Sequence, residues 1–257
     1  MFSYIFNTFF YNPIYNGLIF LASYFSWIDL GIAVVLITII VKLILFPLTK
    51  KSIQAQIKMK EIEPRMVELK EKYKSDKEKQ AKEIMALYKN NGINPFASFL
   101  LVFAQLPILF ALYFVFLNGG LPEVNTDILY SFMKVPGAIN VHFLFMVDIT
   151  QKSLLLALLA GASQFFQIRL IMPKTEPSTN KEKTLKDDLV KNMQMQMKYV
   201  MPIIIFFIAY GLSAAIALYW TTSNLFMIGQ ELYIRKNIKN KTKITKGTKE
   251  VNLKYHG

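Results

Sequence analysis

One lysine lies inside an otherwise apolar run, "ITIIVKLILFPL", which covers residues 37–48. The neighbours of Lys42 are Ile, Val, Leu and Phe, and Thr38 precedes it by one helical turn. A charged group near the middle of a membrane span costs about 2.5–3.5 kcal/mol on insertion scales. Charged residues inside membrane spans usually mark a polar pathway, so Lys42 is the first candidate for a functional residue.

Other polar residues interrupt the apolar segments of the chain. Gln164 and Gln167 are three residues apart, as are Thr221 and Asn224, so each pair shares one face of a helix. In lipid such groups face the bundle interior or a water-filled cavity. Taken singly, each can also be explained as a hydrogen bond between helices. The set is Thr38, Gln105, Gln164, Gln167, Thr221, Thr222, Ser223, Asn224 and Gln230.

Two interpretations of Lys42 remain open at this point. It lies about 12 Å along a helix from Lys50, so its long stem could snorkel towards the membrane border. The proposed spans contain no Asp or Glu except Glu231 at the end of the last one. Water, or the carboxylate of a visiting molecule, is therefore predicted beside the ammonium group, in a hydrated pocket open to the cytoplasm.

Composition identifies a polytopic membrane protein, because 53% of the 257 residues are hydrophobic and 14% are aromatic. The absence of cysteine excludes disulfides and thiolate metal sites, and two histidines leave little material for a transition-metal site. The sequence contains no phosphate-binding loop, catalytic triad or metal-ligand cluster. We therefore expect no cofactor, no bound metal and no enzymatic activity.

The net charge of +13 is unevenly distributed. Of the 30 basic residues, 27 lie in residues 49–92, 169–198 and 235–257, which the positive-inside rule places in the cytoplasm. The stretch 118–150 holds one lysine and is predicted to lie outside. This alternation predicts an outside N-terminus, a cytoplasmic C-terminus and five spans: 31–48, 95–117, 152–171, 199–213 and 214–234.

The segments between the spans have distinct characters. The aromatic N-terminal segment, 1–30, is predicted to lie at the outer interface, with a helix starting at Asn12-Pro13; a sixth span is the alternative. Residues 49–92 predict a cytoplasmic helical hairpin, interrupted at Pro64 and resumed by a Ser75–Glu78 capping box. The other segments are an outer loop, 118–151, a cytoplasmic loop, 172–198, and a basic cytoplasmic tail, 235–257.

Four stretches together resemble a known family. They are "VKLILFPLTKKSIQAQIKMKEIEPRMVELKEKY", "KEIMALYKNNGINPFASFLLVFAQLPILFALYFVF", "LALLAGASQFFQIRLIMP" and "ALYWTTSNLFMIGQELYIRK". In this order they are similar to the YidC membrane protein insertases, relatives of the mitochondrial Oxa and chloroplast Alb proteins. The similarity covers about residues 12–235.

The resemblance implies an all-α membrane protein whose five transmembrane helices enclose a hydrophilic groove in the inner leaflet. The positively charged groove position matches Lys42, although most relatives have arginine there, whose planar guanidinium offers more donors. Thr38, Gln105 and Asn224 match polar groove positions, with Tyr219 and Trp220 nearby; we add Gln164 and Gln167 as polar residues of the spans. A hydrophobic surface for sliding substrates would include Leu106, Pro107, Phe110, Ile205 and Phe206.

The function implied is insertion of hydrophobic segments of nascent proteins into the bacterial cytoplasmic membrane, without nucleotide hydrolysis. The expected partners are nascent membrane proteins, the lipid bilayer, the ribosome through the basic tail, and the Sec translocon, but not DNA. The tail could equally bind anionic lipid or serve only as a positive-inside anchor. A small secondary transporter that uses Lys42 as a substrate or proton site is the alternative function, and an assembly factor that moves nothing is a third.

Overall fold

The computed structural model describes residues 2–25, 27–119, 121, 123–133, 135, 137, 139–171 and 195–255, and most of the predicted cytoplasmic loop 172–198 lies outside them. These residues are mostly helical. The α-helices are α1 (Phe2–Phe6), α2 (Asn12–Tyr24), α3 (Leu30–Ile44), α4 (Phe46–Glu61), α5 (Glu63–Lys72), α6 (Lys77–Asn90), α7 (Ala97–Asn118), α8 (Leu154–Ile171), α9 (Met201–Gly211) and α10 (Ala214–Tyr255). π-Helical turns occupy Asn7–Tyr11 and Gln196–Val200, and a 3₁₀ turn occupies Thr126–Ile128.

Length and composition make two of the described helices, α7 and α8, long and apolar enough to cross a membrane. Helices α3 and α4, separated by Leu45, form a third candidate when they are taken together. The apolar helix over Gln196–Gly211 is shorter. The start of α10, predicted as the fifth span, is not among the candidates, because Thr221 to Asn224, Gln230 and Glu231 lower its mean hydropathy. The chain is therefore an all-α membrane protein, and its described residues contain two or three candidate spans.

The chain divides into two compact units. The first unit comprises Met1–Ile44 and Val102–Ile228, and the second comprises Leu45–Leu101 and Gly229–Gly257. Helices α7 and α10 each contribute residues to both units. Every candidate groove and slide residue lies in the first unit.

Close packing of α8 against α9 organises one side of the first unit. A Cβ atom added to Gly161 would lie 3.1 Å from Phe206 Cβ and 3.1 Å from the Pro202 carbonyl oxygen, so a larger residue would crowd this approach of the two helices. Helix α9 ends at Gly211, and α10 begins at Ala214 after a two-residue connection. The first amides of α10 find acceptors in the loop before α8, because Ala214 N donates to Gln151 O (2.7 Å) and Ala215 N to Ile149 O (2.9 Å).

Helix α2 begins at Asn12, as predicted, but it continues a segment that is helical from Phe2, so the predicted Asn12 cap is wrong. Asn12 has helical dihedral angles and follows a π-helical turn, and no side chain caps the backbone there. A cap is needed only where amides lack partners, and the preceding turns supply them. Pro13 therefore lies in the first turn of α2 without starting the helix.

Two buried side chains of α2 hold the loop between α7 and α8 by hydrogen bonds. Tyr15 OH donates to Gly119 O (3.1 Å) and accepts from Asn125 N (2.8 Å). Asn16 Nδ2 donates to Asn12 O (2.8 Å) and Ile128 O (2.9 Å), while its Oδ1 accepts from Tyr130 N (2.8 Å). We call these two residues the α2 clamp.

The same loop also contains a small antiparallel hairpin that the sequence did not indicate. Strands β1 (His142–Phe143) and β2 (Val147–Asp148) pair His142 with Asp148 and Phe143 with Val147. The hairpin is too small to change the all-α class of the fold.

The second unit contains the charged helices α4, α5 and α6. A break at Ile62 separates α4 from α5, next to Pro64 in the first turn of α5, and Tyr88 OH donates to Met66 Sδ (3.1 Å) between α6 and α5. Helix α6 is capped by Asp76, whose Oδ1 accepts from Lys79 N (2.9 Å); the predicted cap at Ser75 is therefore wrong by one residue. Gly92 follows α6 with a φ of 60°, a left-handed conformation that favours glycine.

Further along the second unit, α7 begins at Ala97, two residues after the predicted start at Pro95. Asn94 still forms a hydrogen bond just before the start of α7, because its Oδ1 accepts from Phe96 N at 2.9 Å. Glu231 is buried and forms an ion pair with Arg235 one turn later, with Arg235 Nη2 2.6 Å from Glu231 Oε1.

Candidate functional site

Lys42 lies inside the first unit. It is the most C-terminal buried residue of α3, only 3% exposed, and its Nζ donates to Gln105 Oε1 on α7 at 3.0 Å. Thr38, one turn earlier on the same face, is also buried and donates its hydroxyl to Val34 O (2.6 Å). A snorkelling lysine would expose its ammonium group beyond the helix end, so this placement favours the interior-facing interpretation.

Gln105 connects Lys42 to the last helix. Its Nε2 donates to the hydroxyl of Tyr219 on α10, and that hydroxyl also hydrogen-bonds with Ser223 one turn later. An ammonium group can only donate, so the amide oxygen of Gln105 must face Lys42 and its NH₂ group must face Tyr219. Pro107 lies two residues further along α7, where it removes one backbone hydrogen bond from the helix. We call Lys42, Gln105, Tyr219 and Ser223 the lysine cluster.

A second group of polar side chains joins α8 to α10. Gln164 Oε1 accepts from Trp220 Nε1 (3.3 Å) and from Asn224 Nδ2 (3.1 Å). Asn224 Nδ2 also donates to Ser163 Oγ (3.0 Å), which in turn donates to Ala160 O (2.9 Å). We call Ser163, Gln164, Trp220 and Asn224 the glutamine cluster.

Helix α10 positions both clusters because it carries two adjacent pairs with i, i+4 spacing. Tyr219 and Ser223 belong to the lysine cluster, whereas Trp220 and Asn224, one residue further on, belong to the glutamine cluster. One residue turns a helix by about 100°, so the pairs occupy neighbouring faces. The structure thus brings six of the eight predicted groove residues into these two clusters and places a seventh, Thr38, on the Lys42 face of α3.

The eighth predicted groove residue, Gln167, enters neither cluster. It is half-buried one turn beyond Gln164, and no hydrogen bond of its side chain occurs within the described part of the chain. Two contributors, Ser163 and Ser223, were not predicted as site residues. The sequence signal for Ser163 was only its position beside Gln164, whereas Ser223 is one of the polar residues noted inside the spans and follows Tyr219 by four residues.

The candidate slide residues fall into two groups. On α7, Leu106 and Phe110 are exposed and Pro107 is half-buried. On α9, Ile205 is only 6% exposed and Phe206 packs towards Gly161 of α8. The exposed apolar face of α9 is instead formed by Ile203, Ile204, Phe207 and Ile208, with Phe207 64% exposed.

Acidic and histidine side chains do not gather into a metal site in the described ranges, where no group of three or more His, Cys, Asp or Glu residues was found. The donors and acceptors of the two clusters are ammonium, amide, hydroxyl and indole groups. This set can hold a carboxylate or a polar peptide segment by hydrogen bonds.

Comparison with known proteins identifies the family. Three bacterial relatives, each named membrane protein insertase YidC, are 36% identical over 206 residues (Clostridium tetani), 35% over 211 (Oceanobacillus iheyensis) and 34% over 239 (Wolinella succinogenes). The alignments cover 80%, 80% and 93% of this chain, and 81%, 74% and 39% of the relatives. The profile of the family described as 60Kd inner membrane protein matches residues 20–242. The chain therefore belongs to the 60Kd inner membrane protein family.

Proposed function

We propose that this protein is a membrane protein insertase that moves hydrophobic segments of nascent proteins from the cytoplasm into the bilayer. The observation that carries the proposal is Lys42, a buried cation in an apolar helix, held by the amide of Gln105. The names of the relatives support the same activity. In this proposal five spans surround the site, with boundaries at 31–48, 95–117, 152–171, 199–213 and 214–234.

The lysine cluster provides the resting place for the polar leader of the substrate. The amide oxygen of Gln105 is a neutral acceptor, and an acidic leader offers a carboxylate, which forms a stronger, charge-assisted hydrogen bond with an ammonium group. The leader carboxylate replaces Gln105 Oε1 at Lys42 Nζ, and the freed amide of Gln105 bonds to the leader backbone. Positive charge already inside the membrane lowers the cost of desolvating that leader.

The apolar part of the substrate moves along exposed surfaces of α7 and α9. On α7 these are Leu106, Pro107 and Phe110. On α9 the surface is formed by the exposed Ile203, Ile204, Phe207 and Ile208, in place of the buried Ile205 and of Phe206, which packs towards α8. Burial of the substrate helix in lipid releases about 25 cal/mol per Å² of apolar surface, and the membrane potential adds about 2.3 kcal/mol per charge per 100 mV. Insertion therefore proceeds without nucleotide hydrolysis.

The basic segments supply the cytoplasmic contacts of the insertase. In this proposal α4, α5 and α6 lie in the cytoplasm and receive the incoming chain, and the basic tail, 235–257, binds the ribosome. Seven lysines and one arginine against a single glutamate give this tail the charge needed to contact RNA phosphates. The Sec translocon is a further proposed partner.

The test is insertion into vesicles that contain the purified full chain and no nucleotide, using a substrate with an acidic leader. Lys42→Ala removes a hydrogen bond to a charged group worth about 1.5–3 kcal/mol, so the insertion rate should fall about tenfold or more. Lys42→Arg should retain most of the activity. The matched control is Lys152→Ala, which removes an exposed lysine.

The same preparation separates the alternatives. Insertion at the wild-type rate by Lys42→Ala would contradict the role of the charge. Solute counterflow without peptide insertion would indicate a secondary transporter. Association with membrane partners without either activity would indicate an assembly factor.

A further inference from the structure

The loop hairpin has an unusual tip. The three residues between β1 and β2 are apolar and exposed. They are Leu144, Phe145 and Met146, with Phe145 87% and Met146 82% exposed. Leu144 and Phe145 have φ values of 51° and 61°, and Met146 N donates to Phe143 O (3.0 Å) to close the turn. Such turns normally use Asn and Gly, because side chains with bulk disfavour a positive φ. A strained turn thus presents large apolar side chains to its surroundings.

The hairpin is fastened to the first turn of α3. Asp29 accepts from Leu144 N through Oδ2 (2.9 Å) and from Ile32 N through Oδ1 (2.8 Å), and Leu30 N donates to Asn140 O (2.8 Å). A Cβ atom added to Gly31 would lie 2.5 Å from the ring of Phe143, so the aromatic ring rests directly on the helix backbone. The tip consequently has a defined position relative to the N-terminus of α3.

That position corresponds to the edge of an apolar segment. Helix α3 belongs to a candidate span, and Asp29 is the charged residue that immediately precedes it. Just before Asp29, the side chains of Tyr24 and Trp27 are exposed, Trp27 by 70%. Tyrosine and tryptophan are enriched where membrane spans meet the headgroups. The tip, which is bonded to Asp29, and these aromatic residues are therefore all adjacent to the N-terminal end of α3.

We infer that Leu144, Phe145 and Met146 form a membrane anchor that inserts into the headgroup region beside the N-terminus of α3. Lipid is the occupant that fits, because the tip has no charged or hydrogen-bonding side chain and continues the aromatic boundary at Trp27. The anchor fixes the tilt and depth of α3, the helix that carries Lys42. It does not depend on the insertase activity and is tested without any substrate.

The test uses the absence of cysteine from the chain, so a single introduced cysteine carries the only label. Phe145→Cys and the loop control Thr126→Cys are labelled with an environment-sensitive nitrobenzoxadiazole dye. The full chain is reconstituted in vesicles of phosphatidylethanolamine and phosphatidylglycerol. Interfacial anchors lie about 5–10 Å within the headgroup boundary, where iodide is sparse, so iodide quenching at position 145 should be about threefold weaker than at 126. Lipids with a nitroxide near the headgroup should quench position 145 more strongly.

A second labelled variant checks whether the first substitution disturbs the strained turn. Met146→Cys leaves Leu144 and Phe145 intact and should give the same pattern as Phe145→Cys. Unfolding temperatures close to that of the unmodified chain would show that each variant is folded. Iodide quenching at 145 and 146 equal to that at 126, in folded variants, would overturn the inference and point to a protein partner for the tip.

Discussion

The α2 clamp and the lysine cluster both bury polar side chains in the first unit, but their partners differ in kind. Among the described residues, the side chains of Tyr15 and Asn16 bond only to backbone groups, those of Gly119, Asn125, Ile128 and Tyr130 in the loop and of Asn12 in the helix. Lys42, Gln105 and Tyr219 bond to one another through side chains. Buried backbone groups require partners in any folded state, whereas side-chain partners can be exchanged for those of a ligand. The clamp is thus suited to stability and the lysine cluster to binding.

The largest effect should come from breaking the clamp. Asn16→Leu deprives Ile128 O and Tyr130 N of their side-chain partner and should lower the free energy of unfolding by about 3 kcal/mol, since each buried orphaned group costs about 1–3 kcal/mol. Asn12→Leu is the matched control, because only the backbone oxygen of Asn12 bonds to Asn16. Thermal or denaturant unfolding in detergent measures both variants. Equal losses would mean that the side chain of Asn16 does not support the loop.

A smaller effect on stability is expected in the lysine cluster. Lys42→Met with Gln105→Leu removes the charge and its amide acceptor together, and replacing buried polar partners by apolar residues of similar size is often nearly neutral. The free energy of unfolding should change by no more than about 1 kcal/mol, while insertion of the acidic-leader substrate falls about tenfold. Gln105→Leu alone should be more destabilising than the double variant, because it removes an acceptor from a buried ammonium group. A double variant as unstable as Asn16→Leu would make the cluster structural.

The smallest effect on stability is expected at the solvent-exposed cap of α6, where a side chain hydrogen-bonds to the backbone. Asp76→Ala removes the cap of α6 and should cost about 0.5 kcal/mol, so amide hydrogen exchange in the first turn of α6 should rise about twofold. Ser75→Ala, at the neighbouring exposed position, should leave exchange unchanged. The reverse result would restore the capping box predicted from the sequence. Comparing the stability lost in Asp76→Ala with that lost in Asn16→Leu would measure how much burial strengthens a hydrogen bond between a side chain and the backbone.

Local patterns predicted much of the secondary structure. The apolar segments 95–117 and 152–171 differ from α7 and α8 by two residues or fewer at each end, because continuous hydrophobicity and flanking charge are local properties. Helix entrances were predicted less well. Asn12 and Ser75 have the right chemistry for caps, but the turns before Asn12 make a cap unnecessary, and at α6 the neighbouring Asp76 is the cap.

The sequence predicted which residues belong to the candidate site, but it did not predict which of their side chains hydrogen-bond to each other. Polar residues inside the apolar segments were the signal for Lys42, Gln105, Gln164 and Asn224, because polar groups in apolar helices must find partners. It could not show that Gln105 bonds to Lys42, that Gln167 joins neither cluster, or that Ile205 is buried. These outcomes depend on the rotation of each helix about its axis, which packing against its neighbours sets.

The sequence by itself determined the membrane class, the approximate helices and the family, because hydropathy, helical periodicity and motif order are properties of contiguous residues. Tertiary structure alone decided which polar groups meet. Lys42 and Gln105 are 63 residues apart, Asn16 and Ile128 are 112 apart, and Asp29 and Leu144 are 115 apart. Hydrogen bonds across such separations depend on close packing, where a rotation of one helix by a single residue exchanges a buried side chain for an exposed one.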